Sequence, residues 1–132
     1  MKLKQCVEAY TAILELIEKE WSYQTAHALV TLKRELKPHV DFYAQEEMRL
    51  VEKFAAKDEK GNILWTGNGT FSFVEKSMAL EYARQRETLG NVEVQEDFRK
   101  IKAPAPERIK PSQLDALIGF IEFESGEGDE EK

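Results

Sequence analysis

At 132 residues and 15.2 kDa the chain has the length of one ordinary domain. Its residues are 42% hydrophobic and 33% charged, which suits elongated helices with wide solvent-facing sides better than a thick core. No apolar run approaches the roughly 18 residues that a membrane span needs, and the Met-Lys-Leu-Lys start leads into charged helix rather than a signal sequence. The expectation is a soluble protein made in the cytosol, with no membrane partner.

The net charge of -6 is unevenly placed. Residues 121–132 hold six acids and one lysine, and the remaining 120 residues carry 18 basic against 19 acidic groups. A near-neutral folded region argues against a nucleic-acid binder, which should show a basic stripe, and against a DNA mimic, which should show acids over its folded face. Residues 124–132 read as an acidic disordered tail on a single domain of residues 1–123.

In the first helix Leu3, Val7, Tyr10, Leu14, Ile17 and Trp21 recur at spacings of four and three, an apolar seam that Cys6, Ile13 and Leu16 widen. A break near "EKEWSY" follows, with Ser22 as the cap of a second helix. Projecting a 3.6-residue period from Leu29 lands on Leu32, Leu36, Val40, Tyr43, Glu47, Leu50, Val51 and Phe54, and only Glu47 is polar. The phase is the same before and after Pro38. A proline inside a helix costs about 3 kcal/mol, which burial of several large side chains at roughly 1.5–3 kcal/mol each can offset. The pattern therefore predicts one helix from about Tyr23 to Ala56, bent near Glu35. At about 1.5 Å per residue this rod is near 50 Å long and overhangs a first helix of about 28 Å. Its distal face around Tyr43, Leu50, Val51 and Phe54 needs cover from the rest of the chain or from a second copy, so homo-oligomerisation is an expectation.

After the polar turn "KDEKGN", the β-rich runs Ile63–Thr66 and Thr70–Phe73 flank Gly67-Asn68-Gly69, a hairpin signal. "SFVE" fits a capping box, Ser72 with Glu75, for a third helix to about Leu89 with Gly90 at its end. Phe73, Met78, Leu80, Tyr82 and Ala83 are available to pack it. Residues 91–102 read as a strand or extended segment, and the two Ala-Pro pairs of "APAPERIKP" disfavour helix. Pro111 or Ser112 opens a last helix, "SQLDALIGFIEF", with Leu114, Leu117, Ile118 and Ile121 on one side. The fold class expected is α+β and predominantly helical: a long antiparallel helical hairpin, a small β-hairpin or sheet, and two further packing helices.

Few residues suggest chemistry. His27 and His39 lie on the long helix without carboxylates or thiols at metal-ligand spacing, and Glu35 with His39 makes a simpler surface pair. Cys6 sits at an apolar helical position and reads as a buried structural thiol. Glu46, Glu47 and Glu52 alternate with Arg49 and Lys53, the mark of a solvated face rather than a carboxylate pair. "RQRE" at residues 84–87 is a mixed helical surface. The glycines of "GNG" lack the frame of a phosphate loop, and Asn68-Gly69-Thr70 is a glycosylation sequon by letters alone. No catalytic residue, cofactor or metal is expected. The aromatic cluster Trp65, Phe71 and Phe73 can pack against the rod or anchor a partner, and Tyr43 and Phe54 join it as candidate partner-binding residues.

The stretch "SYQTAHALVTLKRELKPHVDFYAQEEMRLVEKFAAKDEKGN" resembles a pattern in small phage and prophage proteins of uncharacterised function, where a long helix closes at a Gly-Asn turn. "VEVQEDFRKI" and "IKPSQLDALIGFIEF" are similar to the ends of such proteins, where a short β segment precedes a final helix. The likeness spans most of residues 1–123; Pro38 and the acidic extension after Phe123 depart from it. It implies a viral origin, a place in the host-cell cytoplasm with association with a virion left open, and a small helical fold, and it carries over no functional residues. The expected function is a non-enzymatic, phage- or prophage-encoded interaction or assembly protein, with a phage structural or host protein as partner. The rival is an inhibitor of a host defence nuclease or effector, separable by which proteins it retains in a pull-down.

Overall fold

The computed structural model describes residues 1–124 except 68, 97, 99 and 107. Its spine is α2 (Tyr23–Phe54), 32 residues of unbroken helix with Pro38 inside. Ser22 caps it, its hydroxyl accepting from the Thr25 N–H at 3.4 Å. The inward face reads Thr25, Ala28, Leu29, Leu32 and Leu36, all buried, then the partly buried Val40, Tyr43, Glu47 and Leu50, then buried Val51 and Phe54. One phase therefore serves both sides of the proline. Arg34, whose carbonyl loses its donor to Pro38, is exposed, as is Pro38 itself, so water can satisfy the orphaned group. Leu29, Leu32 and Leu36 are at most 1% exposed. At roughly 1.5–3 kcal/mol each, their burial exceeds the proline's cost of about 3 kcal/mol.

α1 (Leu3–Leu16) covers the first half of α2 and, at 14 residues, is about 21 Å long, shorter than its apolar repeat predicts. It stops at Leu16 because the chain folds back there: the Trp21 indole N–H donates to the Leu16 carbonyl at 2.8 Å. Trp21 is thus a plug on the helix end rather than a member of its seam. The buried stripe is also displaced. Leu3, Cys6, Ala9, Ala12, Ile13 and Leu16 face the core, whereas Leu14 is 44% exposed. Cys6, Ala9 and Ala12 are small enough to let the two helices approach closely, so the inward face follows them instead of the larger heptad residues.

α3 (Ala79–Gly90) lies along the second half of α2. The Tyr82 ring meets Phe54, and Arg86 reaches Glu47, so the two helices run side by side in opposite directions. Gly90 then abuts the start of α1, where an added Cβ would lie 3.3 Å from Lys4 Cβ. α1 and α3 therefore follow one another along the rod. The chain leaving α3 pairs with the N-terminal segment, Leu3 N–H donating to the Val92 carbonyl at 2.9 Å and Val94 N–H to the Met1 carbonyl at 2.8 Å. The distal half of α2 is covered by its own chain, so that face does not require a second copy.

The start of α3 differs from expectation. Ser72 and Glu75 form no capping box: the Ser72 N–H donates to the Leu64 carbonyl, residues 76–78 make a 3-10 turn, and α3 begins only at Ala79. Pairing of Ser72 in the β region removes it from the helix end.

The last third forms a β-α-β unit. β3 (Ile101–Pro104) and β4 (Ile121–Glu124) pair in parallel, Ile101 with Ile121 through Pro104 with Glu124, joined through α4 (Pro111–Leu117). Parallel neighbours need such a crossover. α4 opens at Pro111 with the Gln113 side chain accepting from the Lys110 N–H at 3.2 Å. It ends at Leu117, well before the predicted end. Phe120 and Ile121 turn into the core against Ala103 and Leu117, while Leu114 and Ile118 remain exposed. Glu124 closes β4, so the ordered domain extends just past the predicted boundary at 123; the tail expected over the remainder lies outside the described residues. The fold is α+β and 57% helical, with the long helix as its organising element.

Candidate interaction surface

The candidate residues gather where α2 ends. Ala55 leaves the helix with extended backbone and pairs with Phe73, and Lys57 pairs with Ile63. Three extended segments then close a ring: Ala56 N–H donates to the Ser72 carbonyl, Ser72 N–H to Leu64, and Leu64 N–H back to Ala56, at 2.7, 3.2 and 2.9 Å. Asp58 sets the turn, its carboxylate accepting from the Lys60 and Asn62 N–H groups at 2.9 Å each, while Gly61 takes a φ of 85° that glycine permits. The "KDEKGN" segment is thus fixed by backbone bonds at both ends.

From this base rises the hairpin β1 (Trp65–Gly67) and β2 (Thr70–Phe71), antiparallel with Trp65 opposite Phe71. Its turn holds Gly69 at a φ of 74°, and Asn68 lies outside the described residues. The strands are shorter than predicted because Ile63 pairs with Lys57 and Phe73 with Ala55, just beyond α2, instead of with each other.

Alternation brings the aromatic rings together. Phe71 lies 4.9 Å from Phe73 and 5.3 Å from Tyr82, Phe73 lies 5.5 Å from Tyr82, and Phe54 lies 5.8 Å from Tyr82, mostly edge to face. Tyr82 is the hub, a role that its place on a mixed-charge helix does not reveal. Burial raises its phenol pKa, with Arg86 pulling the other way. Trp65 sits at the rim, 6.3 Å from Phe71 and 50% exposed.

The five candidates separate by this geometry. Phe54, at 4% exposure, is floor rather than contact surface. Phe71 and Phe73 are partly buried walls. Tyr43 stands apart, lining a groove of about 290 Å³ with Lys4, Tyr82, Arg86 and Gly90. Trp65 alone among the five offers a large ring to solvent. Leu64, Val74 and Leu80, at 43%, 60% and 69% exposure, belong to the same hairpin and the approach to α3. Leu80 does not pack as its helical position predicts; the late start of α3 leaves it outside.

Two ionic contacts have no signal in the sequence. Glu47, the polar exception on the rod's inward face, accepts from Arg86 Nε and Nη2, each at 2.7 Å, and this hydrogen bond raises the Arg86 pKa. The mixed-charge surface at residues 84–87 thus has a fixed partner across 39 residues. His39 meets Glu96 at 2.7 Å rather than Glu35, because Glu96 and Phe98 both lie against its ring. The Glu46 to Arg49 pair matches the solvated face read from sequence.

Cys6 is fully buried, and burial pushes its thiol up to about 11. Among the described residues, no three His, Cys, Asp or Glu side chains converge to hold a metal ion, and no helix is long and apolar enough to cross a membrane. No family model, curated protein or solved structure matches the chain.

Proposed function

We propose that this chain is a non-enzymatic, phage- or prophage-encoded interaction protein that engages a protein partner through the hairpin end of its rod. Its place of action would be the host cytoplasm, during assembly or control of the host. The viral origin rests on the likeness of the "SYQTAHALV" to "KDEKGN" stretch to small phage proteins. The surface rests on one observation: Trp65 is half exposed on a hairpin that a ring of backbone bonds and four packed aromatics hold in place. A pre-ordered, amphipathic ring spends little entropy on binding, which is why tryptophan is common among residues that dominate interfaces.

The test is cross-linking from a photoreactive residue at position 64, in cells where phage genes are expressed, with quantified capture by the parent and Trp65→Ala chains. The expected result is one dominant adduct whose capture by Trp65→Ala falls at least about tenfold, since a buried anchor contributes on the order of 2 kcal/mol or more. Equal capture by the two chains would refute this surface. Cross-links to phage structural proteins favour assembly, and cross-links to a host nuclease or effector favour the inhibitor reading.

A further inference from the structure

The rod is packed at two centres with a thinly packed waist between them. The main core takes Ala28, Leu29, Leu32 and Leu36 from α2, together with Ala9, Ile13 and Leu16 of α1, Leu117, Phe120 and Ile121. The second centre is the aromatic group of Phe54, Phe71, Phe73 and Tyr82 at the far end. From Lys37 to Leu50 no α2 residue is fully buried. Pro38 lies in this waist, where the helix lacks one backbone hydrogen bond. The covering layer changes helix within the same waist, α1 giving way to α3 where Gly90 meets Lys4 beside Tyr43.

We propose that Pro38 is a hinge about which the hairpin end swings relative to the main core. The proline, the gap in the inward packing and the α1–α3 seam all lie between Lys37 and Leu50, so bending there breaks few buried contacts. The restraints that cross this level are few: the partly buried Val40 and Phe98 rest on the main core, the backbone bonds of Leu3 to Val92 and of Val94 to Met1 tie the N-terminal segment, and His39 meets Glu96. The last of these is the latch. The His39 ring stands edge-on to Phe98 at 5.6 Å, and Phe98 is likewise against Phe120 of the core at 5.4 Å, so the first helical turn after Pro38 is pinned through Phe98 to the main body. Releasing Glu96 removes the polar bond on that ring and loosens the turn. The arm beyond Val40 is about 22 Å long, and a bend of about 20° swings its tip by about 8 Å. The inference stands whether or not Trp65 contacts a partner.

Pulsed electron–electron distance measurement on the full chain tests it, with spin labels at Thr11→Cys in α1 and Lys60→Cys in the distal turn, while buried Cys6 stays unlabelled. The parent should give a broad distance distribution, Pro38→Ala a narrower one, and Glu96→Ala a broader one. Circular dichroism and urea unfolding confirm that each labelled variant is folded. Equal widths in the parent and Pro38→Ala would overturn the hinge, and a Glu96→Ala width equal to the parent's would overturn the latch.

Discussion

Replacing Pro38 by alanine should stabilise the protein. Inside a helix, proline costs about 3 kcal/mol relative to alanine through a lost hydrogen bond and a clash with the carbonyl four residues back. Two terms reduce the gain here. The Arg34 carbonyl is on the exposed side, where water already replaces much of a bond whose net value is about 1 kcal/mol. Alanine also returns about 0.4–1 kcal/mol of conformational freedom to the unfolded chain. The net expectation is a gain of about 1–2 kcal/mol, or about 5 °C in Tm for a domain of this length. Urea unfolding at constant m-value measures it. The opposite arrangement, a helix ending at Lys37 with Pro38 as the first residue of another, makes proline favourable at its position. Pro38→Ala would then be neutral or destabilising, and that result would refute the continuous rod.

The displaced seam of α1 predicts that Ala9→Leu overpacks the α1–α2 contact and costs about 1–3 kcal/mol, whereas Leu14→Ser stays within about 0.5 kcal/mol, both by urea unfolding. The reverse ranking would restore the heptad seam. Cys6 should resist a thiol reagent at pH 8 in the native state and react on unfolding. Because its folded pKa of about 11 lies above its ordinary 9.0, the stability it contributes is complete below pH 9 and is lost as pH rises through 11. The parent should therefore lose stability relative to Cys6→Ala between pH 9 and 11, and parallel pH profiles for the two chains would contradict this. A double-mutant cycle on Glu47 and Arg86, whose side chains are 32% and 51% exposed, should give a coupling of about 0.5–1 kcal/mol that weakens in high salt. No coupling would mean that the polar exception on the rod's inward face is unpaired in solution.

The long elements were legible because periodicity over many residues averages out exceptions. The phase kept across Pro38 and the Ser22 cap both carry through to α2, and the glycines Gly67 and Gly69 mark the hairpin. What failed depended on partners distant in sequence. The α1 seam could be drawn through Leu14 or through Ala9 and Ala12, and only the close approach of α2 selects the small residues. A helix through Phe123 leaves out the parallel pairing of Ile121 to Glu124 with Ile101 to Pro104, a contact between segments twenty residues apart that local periodicity does not show. For the candidate surface, alternation correctly brought Trp65, Phe71 and Phe73 together, yet nothing local marked Tyr82 as their hub or separated buried Phe54 from exposed Trp65.

The most direct test of the continuous spine is a distance between labels at Gln24 and Glu52, which lie fourteen residues either side of Pro38 on the described helix. A single helix places them about 42 Å apart, and even a 20° bend shortens that by only about 1 Å. A chain that doubled back at Pro38 would bring them to about 10 Å, the spacing of packed helices, and would contradict the account.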